Sequence, residues 1–287
     1  MRVRGSGGDP LPAVYRSLER KQIHFIRGQL ILICAGPGTG KSAVTLDYAL
    51  KSKVSALYFS ADSDAFVQLT RSVSSIMSWS MAKSAAAVRA NDLGVVRERL
   101  MGAPIRFNYS ASPSLDEIKT TMEAYEELYG DFPELVIVDN VTNVWTSDGD
   151  GDPFAGLEGL MDYLHGMARD TESCVIGLHH VTGDYVDAAK PIPLSGVKGQ
   201  ITRVPEVVVT IHKQPGDGYN PDLLRVAPVK NRNGKADSSG QDYAELEFLG
   251  DTMTIRDPEL GESPFEQDGT MPLDDQRRVF EEAHALV

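Results

Sequence analysis

The chain has 287 residues, 41% of them hydrophobic and 24% charged, with a formal net charge of −13. That length can bury a large core and fits one α/β domain with short extensions better than two full domains. The acidic balance excludes a surface that is basic throughout, so any contact with nucleic acid has to be local, because affinity for phosphates comes from lysine and arginine displacing counterions.

Cys34 and Cys174 lie in apolar runs and read as buried free thiols of a reducing compartment. No apolar run approaches the roughly 20 residues of a membrane helix, and MRVRGSGGDP has no signal-peptide core. A soluble cytoplasmic protein with no membrane partner is expected.

Residues 1–11 are Gly-rich and read as a mobile extension, and 11–25 pattern as a short amphipathic helix, a candidate arm onto a neighbouring subunit. The apolar run 30–34 leads into AGPGTGKS, Ala35 to Ser42, and then a helix over 43–51. A strand, a Gly-rich turn and a helix in this order suit the phosphates of ATP. Gly36, Gly38 and Gly40 let backbone N–H groups turn inward, with Pro37, Thr39 and Ala43 in the same cradle. Lys41 reaches the β- and γ-phosphates, Ser42 offers a hydroxyl to Mg²⁺, and the helix points its N-terminus at the phosphate charge. Ala35 stands where the usual pattern has its first glycine, a position that mainly requires a small residue.

The run 56–59 ends in Ser60-Ala61-Asp62-Ser63-Asp64. Asp62 is the leading candidate for the carboxylate that polarises the attacking water. Its plain alternative is an N-cap for a helix starting near Ala65, a task Asp64 can also take, and Asp64 is the other candidate base. The run 135–138 closes on Asp139, a Walker B candidate that accepts from a magnesium-bound water. Residues 146–152 carry Asp148, Asp150 and Asp152, which suit neither a DNA grip nor the ligand order of a calcium loop.

In 154–170, Leu157, Leu160, Met161, Leu164 and Met167 recur at helical spacing and paint one face apolar. The strand 174–178 is closed by His179 and His180, whose side chains point to opposite faces and are poorly placed to share a zinc ion. His180 is the candidate reporter of the γ-phosphate, against the plain reading of a polar strand end. The runs 207–211 and 224–229 follow, the second entering Lys230-Asn231-Arg232-Asn233-Gly234. That segment is either an exposed basic turn or a place from which Lys230 and Arg232 reach the γ-phosphate bound by an adjacent subunit.

Strands near 244–248 and 253–255 have no helix between them, which predicts an antiparallel extension at one sheet edge. The fold class is therefore α/β, a mostly parallel twisted sheet flanked by helices with antiparallel edge strands. The expected division is an arm over 1–25, the main domain over 26–256, and an acidic linker over 257–287 ending in a short helix over 273–285. The tail reads as a contact for a partner, a segment that excludes DNA, or a solubilising extension.

In this order the motifs resemble the RecA-like ATPase domain of DnaB-type replicative helicases, with a likeness to plasmid RepA-type hexameric helicases, from about residue 20 to 256. The resemblance rests on AGPGTGKS, ALYFSADSDAFVQLTRS, LVIVDNVTNVW, ESCVIGLHHVTG, LSGVKGQITRVPEVVVTIHK and VKNRNGKADSSG. It implies phosphate and Mg²⁺ binding by Lys41 and Ser42, the catalytic carboxylate at Asp62, Walker B at Asp139, a sensor at His180, and a finger acting in trans at Lys230 and Arg232. DnaB-type enzymes have glutamate where Asp62 stands and glutamine where His180 stands, and the histidine is closer to RepA-like proteins.

The resemblance also implies a homo-oligomeric ring, usually hexameric, threaded by single-stranded DNA. The DNA-facing loop would then be 182–203, through Lys190, Lys198 and Arg203. Against this, Asp184 and Asp187 lie in the same loop, Tyr185 is its only aromatic residue, and an ordinary surface loop remains the plain alternative. A primase-interacting N-terminal domain has no room here, so primase coupling is not expected. An ATP-dependent helicase or translocase of replication is the first expectation. A RecA/RadA-like filament-forming recombination or annealing ATPase is the second, and an ATP-switched assembly or loading protein the third. The acidic tail is a candidate contact for a replication protein, and the small size suits a phage or plasmid replication gene, which would place the protein in the host cytoplasm.

Overall fold

The computed structural model describes residues 7–146, 153–187, 189–199, 201–217 and 220–258. Asp148, Asp150, Asp152 and the C-terminal helix expected over 273–285 lie outside the described residues. Among the described residues, nine strands form one sheet: β1 Leu30–Ala35, β2 Ala56–Ser60, β3 Ile105–Asn108, β4 Leu135–Asp139, β5 Cys174–His180, β6 Val207–Gln214, β7 Asp222–Asn231, β8 Ala244–Leu249 and β9 Thr254–Arg256. Their order is β3-β2-β4-β5-β1-β6-β7-β8-β9. The first six are parallel and the last three extend one edge antiparallel, as the missing helices predicted.

β1, β2 and β4 are buried along their whole length, which their unbroken apolar runs require of a sheet covered on both sides. One face packs against α2 (Lys41–Ser52) and α3 (Ala65–Met77); the other packs against α6 (Leu115–Tyr129) and α7 (Pro153–Thr171). Leu160, Met161 and Leu164 of α7 are fully buried, each contributing roughly 1.5–3 kcal/mol over an exposed placement.

Two stretches differ from the sequence expectation. The segment between α3 and α6 holds α4 (Met81–Arg89), α5 (Gly94–Met101) and β3, none of which the pattern announced; β3 is a four-residue edge strand with Arg106 exposed, too short to register as an apolar run. In the N-terminal segment, α1 spans only Arg16–Arg20, preceded by an extended Tyr15 and ended by Gln22 at φ +57°. Residues 8–11 are not a loose extension: Gly8 N donates to Arg27 O and Leu11 N to Phe25 O. Leu11, Tyr15, Leu18, Ile23 and Phe25 are buried in the chain's own core, and the Tyr15 hydroxyl bonds Asp47 of α2. The apolar face expected to reach a neighbour is thus satisfied within the subunit.

Candidate nucleotide-binding site

β1 runs into loop 36–40 with β5 on one side and β6 on the other, the point where strand order reverses and where open α/β sheets bind ligands at their carboxyl ends. Gly38 and Gly40 have φ +69° and +117°, which a residue with a Cβ adopts only under strain. Gly36 is needed for a different reason: a Cβ there would collide with the carbonyl oxygen of Val186, in the loop after β5. Buried Thr39 closes the turn by donating its hydroxyl to Gly36 O at 2.9 Å. α2 starts without a side-chain cap, whereas α3, α4 and α6 are capped by Asp64, Ser80 and Ser114. The first N–H groups of α2, around Lys41, Ser42 and Ala43, are therefore available to an anion.

Lys41 is only 6% exposed. Burial pulls its pKa below the usual lysine range while the carboxylates of Asp139 and Asp62 push it back up. Asp139 is 3% exposed, and its Oδ2 accepts from the Tyr58 hydroxyl at 2.8 Å. Its Oδ1 has no hydrogen-bond partner among the described residues. Burial raises the Asp139 pKa, opposed by the neighbouring Ser42 and Tyr58 hydroxyls and by Lys41. A buried carboxylate with an unmatched oxygen beside a serine hydroxyl is a hard-oxygen donor set that fits Mg²⁺, which Ser42 and Asp139 would hold. Such an ion supplies positive charge to phosphate oxygens as the transferred group separates.

Alternation along β4 and β5 directs Asp139 and His180 to the face covered by α2, and His179 to the other. His180 is half-buried beside Ala35 in register, and its pKa lies below the usual value through burial and then the charge of Lys41. His179 is fully buried, bonds the Lys198 carbonyl at 2.9 Å, and has its pKa lowered to about 4 by burial. Asp64 accepts from Val67 N at 2.8 Å, so the helix cap is Asp64. Asp62 instead lies between the side-chain amides of Asn140 and Asn143, the latter donating at 3.0 Å. Of the residues here that sequence reasoning missed, Tyr58 was accessible in principle, because two-residue alternation from Ala56 puts it on the α2 face; Asn140 and Asn143 meet Asp62 only through the fold.

Lys230 and Arg232 are not at this site. Asn231 pairs with Val207, and Val207 with Ile31, at the start of β1. From Ile31 to Ala35 is about 13 Å along the strand at ~3.3 Å per residue, so the two cations sit at the opposite sheet edge from their own P-loop. Lys230 Nζ donates to Thr202 O and Arg203 O, both at 2.7 Å. Arg232 donates to Arg203 O at 3.1 Å, stands 3.9 Å from Glu206, and keeps 53% of its side chain exposed.

The loop 182–203 is anchored at its root. Val181 bridges Val197, Thr182 N donates to Gly196 O at 3.1 Å, and Ile192, Val197 and Ile201 are buried. Its cations Lys190, Lys198 and Arg203 are exposed, Lys190 over the Tyr185 ring at 5.0 Å. No helix among the described residues is long and apolar enough to cross a membrane.

Residues 10–256 match the family model described as the DnaB-like helicase C terminal domain. The Gene 65 protein of Mycobacterium phage L5 is 62% identical over 257 residues, 89% of this chain and 96% of that protein. Among solved structures, the ATPase domain of G40P is similar with a TM-score of 0.75 at 17% identity, covering 89% of this chain and 94% of that one. A DnaB-like replicative helicase, described with its interactions with primase, gives a TM-score of 0.74 at 18% identity; 87% of this chain aligns to 63% of that helicase, so this chain spans under two thirds of its length. At such identities the two structures speak for the fold, and the family match over nearly all of the described residues speaks for descent. The chain belongs to the family of DnaB-like helicase C-terminal domains, the RecA-like ATPase domain of replicative helicases.

Proposed function

We propose that this protein hydrolyses ATP at the boundaries between identical subunits of a ring, six in the usual family arrangement, and uses the cycle to move along or unwind single-stranded DNA in replication. The observation that carries this reading is the placement of Arg232 at the sheet edge opposite its own P-loop. An exposed arginine there is out of reach of its own subunit's nucleotide, which suits it to one bound by another subunit.

In this reading Gly36 to Ala43 cradle the phosphates, with Lys41 on the β- and γ-phosphates. Asp62 orients and deprotonates the water, His180 contacts the γ-phosphate as a neutral imidazole, and Ser42 with Asp139 hold Mg²⁺. Arg232 of the adjacent subunit completes the site, while Lys230 ties the finger turn to the carbonyls of 202–203 and adds positive charge. Lys190, Lys198 and Arg203 contact DNA backbone phosphates. Membership of the helicase family favours this reading over a recombinase filament, and the mycobacteriophage relative favours a phage replication gene. The acidic tail, outside the described residues, is kept as a contact for a replication protein.

The test is steady-state ATP hydrolysis with and without single-stranded DNA. Several-fold stimulation by DNA is the expected result, and hydrolysis indifferent to DNA would replace the motor with a protein-directed ATPase switch. In the same assay Asp62→Asn should be nearly silent; wild-type turnover would move the base elsewhere.

A pH dependence follows from Lys230, whose pKa is lowered to about 8 by burial and then by Arg232. As pH rises through that value the site loses one positive charge, so turnover is expected to decline at a pH where an ordinary lysine, near ~10.4, is still protonated. Lys230→Arg keeps its charge to above ~12 and should flatten the decline. An unchanged alkaline limb in that variant would show that another group titrates.

A further inference from the structure

The turn that carries Arg232 is gripped by a residue of the N-terminal segment. Gln22 accepts twice: its backbone carbonyl from Asn231 Nδ2 at 2.9 Å, and its side-chain Oε1 from Lys235 N at 2.8 Å. Gln29 exchanges two amide hydrogen bonds with Asn233, at 3.1 and 2.6 Å. Both ends of the turn 231–235 and its middle are thus tied to residues 22 and 29. Position 234 is a glycine against this contact, since a Cβ there would lie 2.7 Å from Gln22 Oε1 and 2.9 Å from Gln22 Cβ.

Gln22 is itself firmly mounted. Its N–H donates to Glu19 O at 2.8 Å, Ile23 N donates to Leu18 O at 3.0 Å, and Leu18 and Ile23 are buried. It holds φ +57°, a conformation that disfavours any residue but glycine, although its side chain is exposed and adds nothing to the core. The grip is made of neutral amides, so it fixes the turn without cancelling the charge that Arg232 presents. Glycine would relieve the backbone at this position and keep its carbonyl, which leaves the Oε1 contact with Lys235 N as the consequence of glutamine here.

We infer that Gln22 is a positioning residue for the arginine finger, setting the turn 231–235 so that Arg232 projects toward the neighbouring subunit's nucleotide. The inference rests on the proposed trans action of Arg232. Because the grip comes from the segment before β1, that segment has a part in hydrolysis although it lies at the edge away from its own P-loop.

The test is Gln22→Gly in the full-length protein, which keeps the backbone carbonyl, relieves the positive φ and removes Oε1. Turnover is expected to fall about 10- to 100-fold, less than on removing the finger itself, with the KM for ATP and the melting temperature close to wild type. Mixing Gln22→Gly with Lys41→Ala subunits should restore turnover, because a Lys41→Ala subunit lends its intact finger to the intact P-loop of a Gln22→Gly neighbour. Wild-type turnover in Gln22→Gly beside a silent Arg232→Ala would overturn the inference. So would a loss that mixing fails to repair while the same mixing repairs Arg232→Ala, since the defect would then lie in the variant's own nucleotide site. Normal turnover in Arg232→Ala, or its failure to be repaired, would remove the trans finger and this inference with it.

Discussion

Replacing Lys41 by alanine is expected to lower ATP turnover by about 10³-fold, the scale of losing a buried donor aimed at developing negative charge. Lys41 lies in a nearly dry site where Asp139 and Asp62 offset only part of the cost of burying its charge. Without it, Asp139 remains 3% exposed with an unmatched Oδ1 and one compensating charge fewer. Asp139→Asn should also silence turnover, and it should raise stability in the absence of nucleotide. Burial raises the Asp139 pKa in the folded state, so the folded protein binds its proton more tightly than the unfolded chain does, and stability falls as pH rises from the ordinary carboxylate range through that raised value. At neutral pH the ionised group therefore costs stability, and the asparagine removes the cost. Thermal melts without nucleotide should place Asp139→Asn above wild type, with about 2–4 °C for each kcal/mol in a chain of this size. An Asp139→Asn variant that melts at or below wild type would refute the buried-charge account.

Arg232→Ala should lower turnover by a comparable factor, about 10³-fold, for a different reason, and should leave nucleotide affinity unchanged. The guanidinium stands at the far sheet edge, half exposed, bonded to the Arg203 carbonyl and 3.9 Å from Glu206. Its removal takes no contact from the nucleotide bound by its own subunit and little from the fold. Titration with a fluorescent ATP analogue should give wild-type affinity while hydrolysis is lost. A parallel loss of affinity would mean that Arg232 binds the ground state, and normal hydrolysis would end the finger assignment.

Much of the architecture was legible in the chain because its evidence is local. An unbroken apolar run as short as Leu30 to Cys34 fits a strand covered on both faces, and the glycines after it fix where that strand stops. The carboxyl-end residues Asp139 and His180 were readable for the same reason: period-two alternation assigns a face without knowledge of the neighbour. What escaped depends on distant partners. β3 is four residues long with one side exposed, so its pairing with β2 carries the assignment that its composition cannot. The N-terminal segment has helical spacing, but the extended backbone of Tyr15 and the positive φ of Gln22 confine the helix to five residues, and its apolar side packs onto the subunit's own core. The contest between Asp62 and Asp64 for the helix cap was undecidable from spacing, since either precedes the first turn of α3; in the fold Asp64 caps the helix and Asp62 meets two asparagine amides.

The close approach of Gly36 to the Val186 carbonyl has a thermodynamic consequence. The Val186 carbonyl fills the space that a side chain at 36 would need, so the P-loop and residues 184–187 meet through backbone alone. A ligand that moves residues 184–187, and through this contact the P-loop, would change the P-loop's affinity for phosphate. Reciprocity then requires phosphate to alter that ligand's affinity by the same factor, so whichever of the two binds first sets the terms for the other.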